Sequence, residues 1–495
     1  MKDLNPEQRE AVRYIDGPLL VLAGAGSGKT RVITRKIAYL IEQCGIKASN
    51  IAAVTFTNKA AREMKERVAE LMSTRQASAR GLMVSTFHTL GLNILRRDGK
   101  SLGYRPGFSI FDAQDSLAVF RDLMGRDFAA DSDHAQEVQN LISNWKNQLI
   151  LPEQAAQIAD GAQEEFAARV YPRYVQALQA YNAVDFDDLI LKPVILFREH
   201  RDVLQKWQAK IHYLLVDEYQ DTNGCQYELV KQLVGIREKL TVVGDDDQSV
   251  YSWRGARPEN LVQLQTDFPR LNLIKLEQNY RSMGRILRVA NKLISHNPHV
   301  FEKRLWSAMG EGDAIRIIGC RDDEHESEKV ISELLYHKLK HQASFKDYAI
   351  LYRSNHQSRS LEKVLREHNV PYFLTGGTSF FSRVEVKDIM AYLRLLANQD
   401  DDNAFLRVIN TPRRGIGSST LQALGEYAAK RNTSMFGACF EMGLAESLPA
   451  KSVQNLEVFT RWLIDIADRA ARGNLLDAIK DMIEEINYRG WLEEV

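Results

Sequence analysis

At 495 residues the chain is too long for one hydrophobic core, and about three domains are expected. Lys+Arg and Asp+Glu both total 65, so the formal net charge is zero and any nucleic acid must be held by local basic patches rather than by a global field. Four scattered cysteines, with no C-x-x-C pair, exclude a zinc ribbon or a disulfide framework and fit a reducing cytoplasm; no run of about eighteen apolar residues or charged-then-apolar leader predicts a membrane span or export.

In chain order, Leu4-Asn5-Pro6 reads as a helix start, with Asn5 as N-cap and Pro6 at the first helical position. The apolar run Leu19–Leu22 then feeds Ala23-Gly24-Ala25-Gly26-Ser27-Gly28-Lys29-Thr30 and an amphipathic segment carrying Val32, Ile33, Ile37, Leu40 and Ile41. Strand, glycine-rich turn and helix in that order predict a phosphate cradle. Glycines let backbone N–H groups turn inward, Lys29 supplies a point charge for the β- and γ-phosphates, and the Thr30 hydroxyl is a Mg²⁺ ligand. The pattern opens on Ala23 where a glycine is usual.

Further strands are predicted at Ile51–Phe56 and Leu82–His88, with a helix between them from Lys59 to about Leu71, capped at Thr57-Asn58. From Thr89 to Ile211 the texture is helical and reads as an insertion. Strands return at Ile211–Glu218 and Leu240–Asp245. A second α/β region is expected from near Leu273–Leu276, with strands at Ala314–Ile318 and Tyr348–Tyr352, and helices again beyond Gly376-Gly377.

Two carboxylates, Asp217 and Glu218, follow the apolar run Leu214–Val216, at the strand end where open parallel sheets bind ligands. Asp217 is expected to hold Mg²⁺, and Glu218 to orient and deprotonate an attacking water. Gln248 offers a donor and an acceptor to the γ-phosphate and the water, while Tyr251, Trp253, Arg254 and Arg257 mix aromatic faces with cations, as a single-strand stacking platform does. Gly415-Ile416-Gly417-Ser418, after Arg413 and Arg414, forms a predicted nest of N–H groups for a duplex phosphate; a plain turn and cap with solvated arginines is the alternative. The histidine pairs 296/299 and 337/341 lack a third ligand nearby and read as solvated.

QREAV, AGAGSGKT, TFTNKAAREM, STFHTLG, LLVDEYQDTN, VVGDDDQSVYSWRGA, LEQNYRS, ILYRSNHQSR and GGTSFFSR follow one another in this order. Together they closely resemble the motifs of superfamily-one DNA helicases of the UvrD/Rep type. The resemblance implies an α/β fold of two RecA-like (P-loop) parallel-sheet domains, ATP between them, each carrying a mostly helical insertion. The expected bounds are 1–88 and 211–276 for the first domain, 89–210 for its insertion, 277–376 for the second domain and 377–495 for the second insertion. It further implies ATP-driven 3′ to 5′ movement on single-stranded DNA with unwinding of duplex at a fork, in replication or repair, and a homodimer or replisome and repair proteins as partners. By motif match, Gln8 reads the adenine edge, Arg31 and Tyr280 flank the base, and Arg281 reaches the γ-phosphate. Thr55, Phe56, Asn58, Thr86 and His88 line the DNA track, with Phe186 and Asn355 as further positions on it. For His88 the residues alone leave a structural histidine equally open.

The family's later motifs are not found before Val495, so a C-terminally truncated chain with an incomplete second RecA-like domain is expected. In that form an ATP- and DNA-binding module without efficient turnover is the alternative to a motor, as is a translocase that mainly displaces DNA-bound proteins.

Overall fold

The computed structural model describes residues 3–73, 79–124, 132–251, 255–297, 299, 301–375, 383–431 and 433–494. The chain divides into two compact units, Met1–Gly312 with Ala391–Val495, and Asp313–Met390.

Among the described residues the first unit is built on a six-stranded, wholly parallel sheet. Its strands are β1 (Leu19–Ala23), β2 (Ile51–Thr55), β3 (Met83–Thr86), β6 (Tyr213–Val216), β7 (Leu240–Gly244) and β8 (Asn272–Leu276), and their spatial order is β3-β2-β6-β7-β1-β8. Strands β4 (Ser109–Phe111) and β5 (Ala183–Asp185) form a separate parallel pair. The central strands are apolar on both faces because both faces are covered. Leu20, Leu22, Leu214 and Val216 point into one core; Leu19, Val21, Tyr213 and Leu215 point into the other. Helices α1 (Pro6–Arg13), α2 (Lys29–Glu42) and α3 (Asn58–Ser73) cover the second core, and α4 (Phe87–Asp98) with the helices Asp188–Glu199 and Gly224–Val234 cover the first.

Local signals decide where these helices start. Asn5 accepts from the Gln8 backbone while the Gln8 side chain returns to the Asn5 N–H, a reciprocal cap with Pro6 at the first turn. The Thr57 hydroxyl accepts from the Ala60 N–H at the start of α3. The strand expected at Leu82–His88 ends early: the Thr86 hydroxyl accepts from the Thr89 N–H and turns Phe87 and His88 into the first turn of α4. The Leu273–Leu276 run, whose texture reads as the start of a second α/β region while the expected bounds of 211–276 keep it in the first domain, pairs with β1 as an edge of the first sheet.

The helical segment inserted between β3 and β6 and the one that follows Ala391 share one core. Phe120, Tyr171, Tyr174 and Leu178 of the first segment pack in the same cluster as Tyr392, Phe405, Leu424 and Phe459 of the second. Arg407 Nη1 lies 2.8 Å from Asp115 Oδ1, and Arg105 donates to the Thr433 carbonyl.

The second unit runs from Asp313 to Met390. Helices Asp323–His341 and Ser358–Glu367 meet over Ile331, Val364, Leu365 and Val370. The strands expected at Ala314–Ile318 and Tyr348–Tyr352 are absent from the described residues. Their apolar composition supplies strand propensity, but a ladder needs a hydrogen-bonded neighbour, and Ile317 and Leu351 stay 96% and 92% exposed. The boundary expected at Gly376-Gly377 lies outside the described residues. Among the described residues no helix is long and apolar enough to cross a membrane.

Candidate nucleotide site and nucleic-acid track

The cradle sits at the C-terminal end of β1, between β7 and β8. Ala23 is the last, fully buried residue of β1, so the extended backbone there needs no glycine. Gly26 and Gly28 do need to be glycine, with φ of 69° and 91°. A Cβ on Gly26 would stand 2.6 Å from Asn279 Nδ2, and one on Gly28 2.8 Å from Gln8 Nε2. The Ser27 hydroxyl closes the turn by donating to the Gly24 carbonyl at 2.7 Å. No side chain caps the N-terminus of α2, whereas Asn5 and Thr86 cap α1 and α4. Its first N–H groups thus face the Gly24–Gly28 turn with donors for a phosphate, and Thr30 stands half-buried in that first turn.

Lys29, Glu218 and Gln248 meet although they are distant in sequence. Lys29 Nζ lies 2.7 Å from Glu218 Oε2 and donates to Gln248 Oε1 at 3.4 Å. Gln220, which the sequence reading passed over, donates to the same Glu218 oxygen at 3.0 Å and accepts from the Asp245 N–H at 3.0 Å. Glu218 has φ 49° and ψ 47°, a left-handed conformation costing a non-glycine residue about 1 kcal/mol. That kink after β6 swings its carboxylate toward Lys29 while Asp217 stays buried, accepting from the Glu218 N–H at 3.0 Å.

Burial, and after it the Glu218 charge, push the Asp217 carboxyl up to about 7, with Lys29 pulling partly against them. Its folded-state pKa thus lies above the ordinary 3.8, so its contribution to stability is present at pH below 4 and is lost as pH rises toward 7. In the absence of nucleotide and divalent cation, Asp217→Asn is expected to match wild type near pH 4 and to exceed its stability at pH 8, by at most ~4 kcal/mol. Urea unfolding at the two pH values measures the difference; equal stability at pH 8 would show Asp217 unstrained.

Residues after β8 complete the cradle. Asn279 is buried, donates to the Ala25 carbonyl and accepts through Oδ1 from the N–H groups of Arg281 and Ser282, at 2.8 and 2.7 Å. The Tyr280 N–H donates to the Gly26 carbonyl, so Tyr280 and Arg281 stand exposed beside the glycine turn. Gln8 is buried with Nε2 donating to the Ser27 carbonyl at 2.8 Å, which ties α1 to the cradle. Arg31 pairs at the surface with Asp3 at 3.0 Å. Asn279 lies inside LEQNYRS, and only its buried contacts set it apart there.

The proposed track gathers at the neighbouring strand ends. Thr55 and Thr86 are register partners, and the Thr55 hydroxyl is buried without a hydrogen-bond partner among the described residues. Phe56 stacks on Tyr251 with ring centroids 5.1 Å apart, and His88 meets Phe186 edge-on at 6.2 Å. Burial lowers the His88 pKa below 6.5, leaving a neutral ring, while Phe186 is 51% exposed. Asn58 and Arg257 are exposed. Trp253 and Arg254 lie outside the described residues.

Other expected positions belong to other elements. Asn355 belongs to the second unit, where its carbonyl accepts from Ser358 at the start of a helix. Gly415, with φ 70°, Gly417 and Ser418 lead into the helix Ser418–Arg431. Arg414 does not flank this turn as a free cation: it donates to the Val408, Ile409 and Pro412 carbonyls and to Tyr392 Oη, over the Phe459 ring. The desolvation of burial makes such internal bonds its better use.

Two families match the chain: the UvrD/REP helicase N-terminal domain over residues 4–269 and the UvrD-like helicase C-terminal domain over residues 274–487. The chain is similar to the ATP-dependent DNA helicase Rep of Escherichia coli (strain K12), 55% identical over 491 residues, covering 99% of this chain and 72% of that protein. The Rep protein of Salmonella typhimurium is likewise 55% identical over 491 residues, with the same coverage. The ATP-dependent DNA helicase PcrA of Leuconostoc citreum is 40% identical over 493 residues, 99% of this chain and 65% of its own. With its glycine cradle, left-handed Glu218 and aromatic strand-end cluster, the chain belongs to the UvrD/Rep helicase family.

Proposed function

We propose that this protein is an ATP-dependent DNA helicase that moves 3′ to 5′ on single-stranded DNA and unwinds duplex at a fork, with ATP and Mg²⁺. The observation carrying the coupling of ATP to DNA is one loop. Gln248 contacts Lys29 at 3.4 Å, and three positions later Tyr251 stacks on Phe56 at 5.1 Å. A shift of Gln248 with the state of the nucleotide therefore moves a base-stacking ring.

In this reading Lys29 and the α2 N–H groups bind the triphosphate, and Thr30 and Asp217 hold the cation. The cation, when bound, neutralises charge building on the β- and γ-phosphate oxygens. Glu218 takes the proton of the attacking water, Gln248 orients that water, and exposed Arg281 supplies positive charge to the transition state. The raised pKa of Asp217 fits a divalent ligand, since a carboxylate buried beside Glu218 gains most from a cation. Gln8, Arg31 and Tyr280 take the base, and Thr55, Asn58, Thr86, His88, Phe186 and Arg257 join the stacked pair along the strand. A second copy of the chain or proteins of replication and repair are the further partners this activity calls for.

ATP hydrolysis with and without a single-stranded oligonucleotide tests the reading, together with displacement of duplexes tailed at either end. Stimulation of roughly tenfold or more is expected, with displacement confined to 3′-tailed duplex. Hydrolysis indifferent to DNA would instead leave a binding module or a DNA-independent ATPase.

A further inference from the structure

Three consecutive carboxylates follow β7, and one ammonium holds them. Lys303 Nζ lies 2.6 Å from Asp245 Oδ1 and 3.1 Å from Asp247 Oδ2, and contacts Asp246 Oδ1; the lysine side chain is 5% exposed. Lys303 comes from a strap, residues 301–306, more than fifty residues further along. The Phe301 N–H donates to Asp246 Oδ2 at 3.2 Å, and His299 Nδ1 lies 3.1 Å from Asp247. Beyond Lys303, Leu305 presses on Gly24 of the cradle, and Trp306 exchanges backbone hydrogen bonds with Glu277 and Asn279. The strap therefore touches both loops that face the nucleotide.

Asp245 connects Lys303 to the chemistry. Its Oδ1 faces the ammonium, and its Oδ2 accepts from Gln248 Nε2. That leaves Gln248 Oε1 to accept from Lys29. An amide orients itself by its partners, and Asp245 as acceptor fixes which end of Gln248 points at Lys29. Asp245 and Asp246 more than reverse the effect of burial and raise the Lys303 pKa, so it stays charged. Without that cation the adjacent carboxylates repel one another, and Asp245 no longer holds its place beside Gln248.

We propose that Lys303 is a positioning residue for Gln248: by gathering Asp245, Asp246 and Asp247 it sets the orientation of the Gln248 amide toward Lys29 and the γ-phosphate. This rests on the ATPase reading above, and the experiment separates the two. Steady-state ATP hydrolysis with saturating single-stranded DNA is measured for wild type, Lys303→Gln, Lys303→Arg, Gln248→Ala and the Lys303→Gln/Gln248→Ala double variant.

Lys303→Gln is expected to lower kcat roughly tenfold with KM for ATP within about threefold of wild type, and Lys303→Arg to lose less. In the Gln248→Ala background Lys303→Gln is expected to change kcat no further, since both act through one amide. A lysine that only stabilised the fold would give independent, multiplying losses. Wild-type kcat in folded Lys303→Gln, or multiplying losses in the double variant, overturns the assignment while leaving the ATPase reading intact. A wild-type protein without DNA-stimulated hydrolysis overturns both. Should Lys303→Gln fail to fold, Lys303→Met is read by the same criteria, and an unchanged kcat there counts against the proposal.

Discussion

Lys29→Ala is expected to lower DNA-stimulated ATP hydrolysis by on the order of 10³ while leaving the fold intact. Its side chain is 10% exposed, its ammonium faces Glu218 and Gln248, and the residue follows the cradle's left-handed Gly28. A charge fixed there acts where negative charge grows during phosphoryl transfer, and fixed charges in a water-poor site are worth most. Stability is spared because the Glu218 carboxylate is 34% exposed and water takes over its solvation. A second signature follows from Asp217. Lys29 lowers the Asp217 pKa, so the variant keeps the Asp217 proton to higher pH. The pH range over which stability falls then moves upward. Steady-state kinetics and urea unfolding across pH 5 to 9 measure both effects; hydrolysis within tenfold of wild type would remove Lys29 from the catalytic set.

Lys146→Met carries the largest expected loss of stability, about 3–5 kcal/mol. Lys146 is 1% exposed, with Nζ 2.6 Å from Asp185 Oδ2 and 2.9 Å from Asp188 Oδ1. Tyr174 Oη donates to Asp185 at 2.9 Å. Methionine fills the volume but leaves two buried carboxylates without the ammonium that pairs them, and that is where the cost arises. In wild type, burial pushes the Asp185 carboxyl up and Lys146 more than reverses this, so the group contributes stability above pH 4 that is lost as pH falls. Without Lys146 burial is opposed only by the hydrogen bonds from the Asp188 N–H and Tyr174 Oη, and the sign is expected to invert: the variant should gain stability as pH falls from 7 toward 5. Unfolding followed by tryptophan fluorescence, with Trp145 in the same core, reports it. A pH slope matching wild type would mean that Lys146 does not hold these carboxylates charged. Phe186 lies between Asp185 and Asp188 on this anchored segment, so single-stranded DNA affinity should fall along with stability.

The local chemistry is legible in the amino-acid string. A phosphate cradle needs glycines, Lys29 and Thr30 on adjacent positions of one strand-loop-helix, and the Asn5–Gln8 cap and β6 with its trailing Asp217-Glu218 are equally contiguous, so each is legible as a string. The tertiary structure alone decided the rest, because it depends on partners far apart in the chain. Asn279 supports Ala25, and Lys303 gathers Asp245 to Asp247, across separations of 254 and 57 residues for Asn279–Ala25 and Lys303–Asp246. An apolar helix face does not state its partner, so the two helical segments read as separate insertions until Phe120 and Phe405 were found in one core. The edge strand β8 shows the same dependence: its five residues carry strand propensity, while hydrogen bonds to β1 determine that they join the first sheet. Ile317 and Leu351 show the converse, strand-forming residues that pair with nothing among the described residues.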